Sequence, residues 1–400
     1  LCSAPQKAGV VNQEAAIVNC PNLADYNLFA DAEDPTSMPN SRGMPYVLNS
    51  KLFSDYSLKH RVIYIPEGKQ AVFIGDEEVR PNSVVDFPVG TIIAKTFTFL
   101  DERVNTETPY ETRLLIKRER SDGVGFWEAL EYIWDNSGEV KKAVLTQRGG
   151  SASATWSYRD PDTGQLVQGS TDSYLFPNAN QCSICHSNLN VDAGSAPIGP
   201  KPRNLNRVFV SESPMATGQS RHPVSGQNQL AYMCQNDLMT GCPSDLSTDA
   251  RGVMTNAGHV PKFNVPGDSG FEANSDEDIE SRVRAYLEVN CAHCHNPGGQ
   301  ASNTGFYTDV FRKVDGTYGI CKKPTAAGSE GRGDNLYDIH PGLADDSILP
   351  YRMGEEATVA AAKMPPLARS TVHTEAFDLI TLWINNVVDD SYENAQACDE

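Results

Sequence analysis

The chain contains no run of about eighteen apolar residues, so no segment is long and apolar enough to cross a bilayer as a helix. It is also poor in positive charge. Lys and Arg total 33 against 52 Asp and Glu, a net charge of −19. Nucleic acid is therefore a poor partner, since binding its phosphates needs basic patches. No G-x-S-x-G run is present, so there is no hydrolase nucleophile elbow. Gly149 and Gly150 belong to a turn and not to a phosphate loop. The acidic stretches NSDEDIES and GRGDNLYD lack the ligand spacing of an EF-hand loop. A basic, apolar leader is missing as well. The sequence opens at Leu1 as a processed mature chain would, and the expectation is a protein exported to the periplasm or cell exterior.

Cysteine, in contrast, is plentiful. There are 10 in 400 residues, many for a cytosolic protein. Four fall in two runs of the same spacing: NQCSICHSN, with Cys182, Cys185 and His186, and RAYLEVNCAHCHNPGG, with Cys291, Cys294 and His295. The other six are Cys2, Cys20, Cys234, Cys242, Cys321 and Cys398. An even remainder points to an oxidising compartment. Local spacing suggests Cys2–Cys20 and Cys234–Cys242, leaving Cys321–Cys398, although the sequence leaves other pairings open. Cys2 also invites comparison with a lipid-modified N-terminal cysteine. Leu1 is a poor match to the small residue expected before such a site, which favours the disulfide.

Hydrophobic residues make up 39% and charged residues 21%, as in a globular protein with two or three domains. Residues 1–45 are rich in Pro, Asn and Asp and read as an extended, loop-rich opening segment. Over 46–174, short runs such as RVIYIPEG, GTIIAKTFTFL, ETRLLIKRER and GFWEALEYIW alternate in polarity and are bounded by turn residues. They predict an antiparallel β sandwich or barrel. In TIIAKTFTF, Ile93, Lys95, Phe97 and Phe99 share one face, and Ile92, Ala94, Thr96 and Thr98 the other. Residues 175–270 are loop-rich, with one helix near QNQLAYMCQNDLM carrying Leu230, Met233, Cys234 and Leu238 at helical spacing. Residues 271–400 are helical. Ser275 and Asp278 start a helix with acid residues in its first turn, and Ile279, Val283, Tyr286 and Leu287 repeat on one face. Phe377, Ile380, Ile384 and Val387 repeat along the last helix. The fold class is thus α+β and multidomain.

A C-x-x-C-H run is the attachment signal for c-type haem. Two thiols three residues apart on a helical turn can each add to a haem vinyl group, and the next histidine can then ligate the iron. A thioredoxin-like motif would sit at a strand-to-helix turn of an α/β domain, and neither copy does. Half of a zinc site would lack a role for the trailing histidine, although the two copies could in principle close on one ion. The reading is two covalently bound haem c groups, held by Cys182 and Cys185 and by Cys291 and Cys294, with His186 and His295 on iron. For the second iron, Met364 in AAKMPPLARS is the far-side candidate, because two prolines stiffen its loop; Met353 is the fallback. For the first, Met215, Met233, Met239, Met254, His222 and His259 follow His186 in sequence. Met233 reads as core, and His222 and His259 lie in loops beside proline. The position can equally be open, or filled from the β domain or another subunit. His293, between the second pair of cysteines, reads as exposed.

RAYLEVNCAHCHNPGG, GPKPRNLNR, GQNQLAYM, KLFSDYSLKHRVIYIPEG, FPVGTIIAKTFTF and ETRLLIKRER together resemble a family of exported bacterial dihaem c-type cytochromes. The likeness runs from about residue 46 onward. The end of the chain, PGLADDSILPYRM…KMPPL followed by LITLWINN, is similar to a class I cytochrome c domain, which implies His295 and Met364 as axial ligands. More weakly, the β region resembles the sheet-rich cytochrome c′-beta type, in which the far face of the haem is open.

The expected function is electron transfer outside the cytoplasm between redox partner proteins, or along self-associated subunits in a homo-oligomer or filament. The alternative is a dihaem enzyme such as a peroxidase, with an open first haem and His222 or His259 as acid–base group.

Overall fold

A computed structural model describes residues 1–2, 7–75, 84–186, 195–357, 359, 362–367 and 369–398. Among the described residues there are ten strands: β1 (Met44–Tyr46), β2 (Leu58–Tyr64), β3 (Ala71–Val72), β4 (Ile92–Asp101), β5 (Thr106–Glu119), β6 (Gly125–Asp135), β7 (Lys142–Thr146), β8 (Gly150–Arg159), β9 (Leu166–Phe176) and, after the first four α-helices, β10 (Met239–Thr240). Eight of them form one sheet in the order β1-β2-β4-β5-β6-β7, with β8 joined to β4 and β9 to β8. Neighbours along the main path are antiparallel. The sheet is open, which removes the barrel from the expected sandwich or barrel: β1 and β7 end the path and do not pair with each other. β3 and β10 make a separate parallel ladder, Ala71 opposite Met239.

The alternation along β4 works as its sequence requires, because successive strand side chains point to opposite faces. Ile92 and Ala94 pack with Tyr26, Leu114 and Tyr132 under the opening segment. On the other face, Ile93 joins a core with Met44, Phe87 and Leu230. Phe97 and Phe99 pack with Trp156 and Tyr174 of the β8–β9 hairpin.

The helices are α1 (Ala179–His186), α2 (Pro202–Leu205), α3 (Thr217–Ser220), α4 (Gln229–Gln235), α5 (Asp276–Asn290), α6 (Gly328–Arg332), α7 (Ile348–Met353) and α8 (Thr374–Asn386). α4 presents Leu230 and Met233 to the sheet's core, so the region after the first Cys–His run shares its hydrophobic cluster with the β strands. α5 begins where Ser275 accepts a hydrogen bond from the Asp278 N–H (3.3 Å), satisfying a donor that the helix itself cannot. Its apolar face, Val283, Tyr286 and Leu287, meets Ile380, Trp383 and Ile384 of α8 in one core. The three disulfides are Cys2–Cys20, Cys234–Cys242 and Cys321–Cys398, the pairing that local spacing suggested. The last ties the start of a long loop to the chain's end.

A buried ionic cluster joins the sheet side to the helical side. Glu288 of α5 accepts from Lys201 Nζ (3.0 Å) and from Arg203 Nε (3.1 Å). All three are buried. Burial opposes ionisation of Glu288, but Lys201 and Arg203 outweigh it and hold the carboxyl below its usual range. Removing one partner strands buried charge, so Glu288→Gln should cost roughly 3 to 5 kcal/mol. The expected readout is a lower urea midpoint at neutral pH. Because the Glu288 pKa is depressed, its contribution is present above the unfolded carboxylate range and is lost as pH falls below it. The variant and the parent should therefore converge in acid. Equal midpoints at neutral pH would contradict this account.

Candidate cofactor site

The first Cys–His run is helix α1 itself, which packs beside β6. The second starts at the C-terminal cap of α5, where the Cys291 N–H donates to Leu287 O (2.8 Å). It continues as a helical turn, with Cys294 N–H and His295 N–H both donating to Cys291 O (3.1 and 2.8 Å). The following NPGG turns back so tightly that a side chain at Gly299 would collide with the Cys294 carbonyl.

Each run lines a cavity. The first, of about 130 Å³, is bounded by Cys182, Cys185 and His186, by apolar groups including Leu48, Phe53, Ile93 and Leu115, and by Arg61, Lys95 and Arg113. The second, of about 350 Å³, is bounded by Cys291, Cys294 and His295 and by Tyr286, Phe306, Leu349, Met353 and Met364. Cys185, Asn290, His293 and Pro365 belong to both walls, so the two cavities adjoin.

The two histidines are held alike. His186 Nδ1 lies 2.7 Å from Ala196 O, and His295 Nδ1 lies 3.2 Å from Phe306 O. A backbone carbonyl accepts, so Nδ1 carries the hydrogen and Nε2 keeps its lone pair. Burial pushes both imidazoles down to about 4, with the carbonyl bonds working the other way. At neutral pH both are therefore neutral, the state in which imidazole ligates iron.

Met364 is brought to the second cavity by a stitched loop. Its N–H donates to Arg352 O (2.9 Å), and Arg352 Nε donates back to Ala362 O (2.8 Å). The Arg369 guanidinium is hydrogen-bonded to the Met353 and Gly354 carbonyls at the end of α7. Met353 lines the same cavity and is buried. Asn290 fixes the shared wall: its Oδ1 accepts from Phe53 N–H (2.8 Å), and its Nδ2 donates to Lys51 O and Tyr286 O (3.2 and 3.1 Å).

The far-side candidates for the first run lie elsewhere. Met233, Met239 and Met254 are buried in the sheet's core, and Met215 packs against Phe97, Trp156 and their neighbours. His222 accepts from Val224 N–H (3.1 Å) beside Tyr232. His259 sits between Asn206 O and Asp268 O (3.1 and 3.3 Å). None of the six is in the first cavity's wall. His293 is a correction: it is half-buried in the wall between the cavities, not exposed, because its ring turns back along α5 toward Val289 O (3.2 Å). Sequence reasoning also missed Arg61 and Arg113, which alternation along their strands could have placed beside Lys95.

The lining of each cavity carries the chemistry that a haem would use: paired thiols, a neutral imidazole with its lone pair on Nε2, and apolar flanks. The first wall adds a buried Arg61 Nη2 that has no hydrogen-bond partner, a donor suited to a carboxylate. A different chemistry is also at hand. The ligand atoms of Cys185, His293 and Cys294 lie within 4.8 Å of one another. That is one donor short of a closed tetrahedral metal site. Hydrogen bonding with Cys294 lowers the Cys185 pKa, burial opposing and His293 assisting; the same bond raises Cys294.

This closeness is testable in chain whose four motif thiols are free. A mild thiol oxidant should link Cys185 to Cys294, seen as a cross-linked peptide by mass spectrometry. Links confined to Cys182–Cys185 and Cys291–Cys294 would contradict the arrangement. Comparison with family models, with curated proteins and with solved structures gives no match to this chain.

Proposed function

We propose that this chain is a dihaem c-type cytochrome, of the exported bacterial family that its motifs resemble, and that it transfers electrons between partner proteins outside the cytoplasm. One observation carries the reading: both C-x-x-C-H runs open into adjoining cavities that share Cys185, Asn290, His293 and Pro365. Bound haem supplies one-electron redox chemistry. Cys182, Cys185, Cys291 and Cys294 are the attachment points, and His186 and His295 each offer Nε2 to iron. Met364 is the thioether for the second iron, with Met353 in the same wall. Methionine opposite histidine raises a haem's potential.

The surroundings are consistent with an exported relay. Three disulfides suit an oxidising compartment, and among the described residues no helix is long and apolar enough to cross a membrane. The net charge of −19 favours encounter with a basic redox partner. Self-association would extend the same relay across subunits.

A second reading, a haem enzyme such as a peroxidase, draws on one observation. Met215, Met233, Met239, Met254, His222 and His259 all stand outside the first cavity's wall, which favours a first site open to small molecules. The two readings separate on electron paramagnetic resonance of the oxidised protein with peroxide added. Two low-spin signals that peroxide leaves unchanged are expected for the relay. A high-spin signal that peroxide alters would give precedence to the enzyme.

Two substitutions test the sites themselves. Cys182→Ala with Cys185→Ala should remove one covalent haem and leave the other, read by haem staining of a denaturing gel. Two haems persisting would refute the first site. Met364→Ala should lower the midpoint potential of the second site by a large margin and spare the first. An unchanged potential would pass the ligand role to Met353 or another group.

A further inference from the structure

The first cavity has a wall whose charge its own hydrogen bonds do not complete. Arg61 of β2 stands directly opposite Lys95 of β4, and Lys95 directly opposite Arg113 of β5. All three side chains line the cavity that holds Cys182, Cys185 and His186. Like charges directly opposite across strands destabilise a sheet, and partial burial deepens the cost. Two of the three are partly compensated. Arg61 Nη1 donates to Glu212 (2.9 Å), and Arg113 grips Glu111 through Nε (2.8 Å) and Nη2 (2.6 Å).

Compensation stops there. Glu212 also sits near Lys51 and Lys59, so its charge is shared among several cations. Glu131, opposite Arg113 on β6, is pushed up to about 9 by burial and by its neighbour Glu111, and so is uncharged at neutral pH. Arg61 Nη2 is buried without a hydrogen-bond partner. Among the described residues the Lys95 amine has no hydrogen bond or ion pair; it lies over the Phe97 ring, 4.6 Å from the centroid. Burial, then Arg61 and Arg113, hold Lys95 well below its ordinary pKa. A negative group in the cavity would reverse that penalty and give the stranded donors an acceptor.

We infer that the Arg61–Lys95–Arg113 row is a carboxylate-binding wall, and that its carboxylate is a propionate of the haem attached at Cys182 and Cys185. This rests on the dihaem reading above. A planar guanidinium and a flexible ammonium, side by side on a rigid strand pair, can receive one carboxylate between them. The row thereby fixes which edge of the macrocycle faces the sheet, something that the cysteines and His186 alone leave free. It also places this row of three cations beside the first haem, whereas Lys322 and Arg352 line the second cavity.

The test uses the full chain with both haems in place, comparing Lys95→Met and Lys95→Arg with the parent. The doubly substituted Cys182→Ala, Cys185→Ala chain identifies which signals belong to the second haem. Haem staining of a denaturing gel reports attachment, potentiometry reports each midpoint, and added formate probes for a free anion site. Lys95→Met should shift the first haem's midpoint downward and leave the second where it is, because a cation near iron favours the reduced state. Lys95→Arg should stay near the parent, and formate should leave the parent spectrum unchanged. A first midpoint unmoved by Lys95→Met overturns the inference. A parent spectrum that formate changes, with the change lost in Lys95→Met, also overturns it and assigns the wall to a free small anion. If Lys95→Met loses the first haem, retention in Lys95→Arg upholds the need for charge, and loss in both overturns it. A parent chain without haem at Cys182 and Cys185 is a separate failure, that of the dihaem reading itself.

Discussion

The placement of the two Cys–His runs depends on how α5 is docked. Glu288 lies one residue short of a helical turn before Cys291, and it is locked to Lys201 and Arg203 in the segment that follows the first run. Two residues later, Asn290 accepts from the Phe53 backbone and donates to Lys51 O. These contacts join three distant stretches of chain: the approach to β2, the region after α1, and the end of α5. Buried charge and amide groups have strong geometric requirements, because each unpaired atom carries a desolvation penalty. A shift of α5 by one turn would break all of them. The second run is thereby held at a fixed position against the first.

That fixed position shapes the chemistry available. The cavities adjoin because Cys185 and Cys294 meet at a common wall with His293. His186 and His295 are both oriented by a backbone carbonyl at Nδ1, which directs the hydrogen there and leaves the lone pair on Nε2. Met364 reaches the second cavity through a loop bound to α7 at Arg352 and by Arg369. The asymmetry between the sites comes from the elements opposite each run. The second faces helices and a methionine loop; the first faces a sheet, and in particular its row of cations.

Fold and site were legible to different degrees. The strands of the β region were readable because each has one face in the core, which imprints period-two alternation; β4 is the clearest case. The Ser275 cap and the stripe of α5 were readable for the same local reason. Closure of the sheet was not. Whether a sheet closes depends on pairing between its first and last strands, and no local pattern in β1 or β7 records that. His293 was misread because a polar residue between two cysteines has no periodicity to place it, and its burial depends on α1 lying across the wall.

The sequence by itself displayed the two C-x-x-C-H runs with their histidines, the Met-Pro-Pro stretch at Met364, and the local spacing that suggested Cys2–Cys20 and Cys234–Cys242, since each is a matter of residue type and short spacing. Tertiary structure decided that the two runs meet, that the six candidate far-side ligands of the first stand away from its cavity, and that Arg61, Lys95 and Arg113 align beside His186. Those facts rest on strand register and on helix docking through buried ion pairs. They join residues distant in the chain, and such contacts leave no trace in local composition or periodicity.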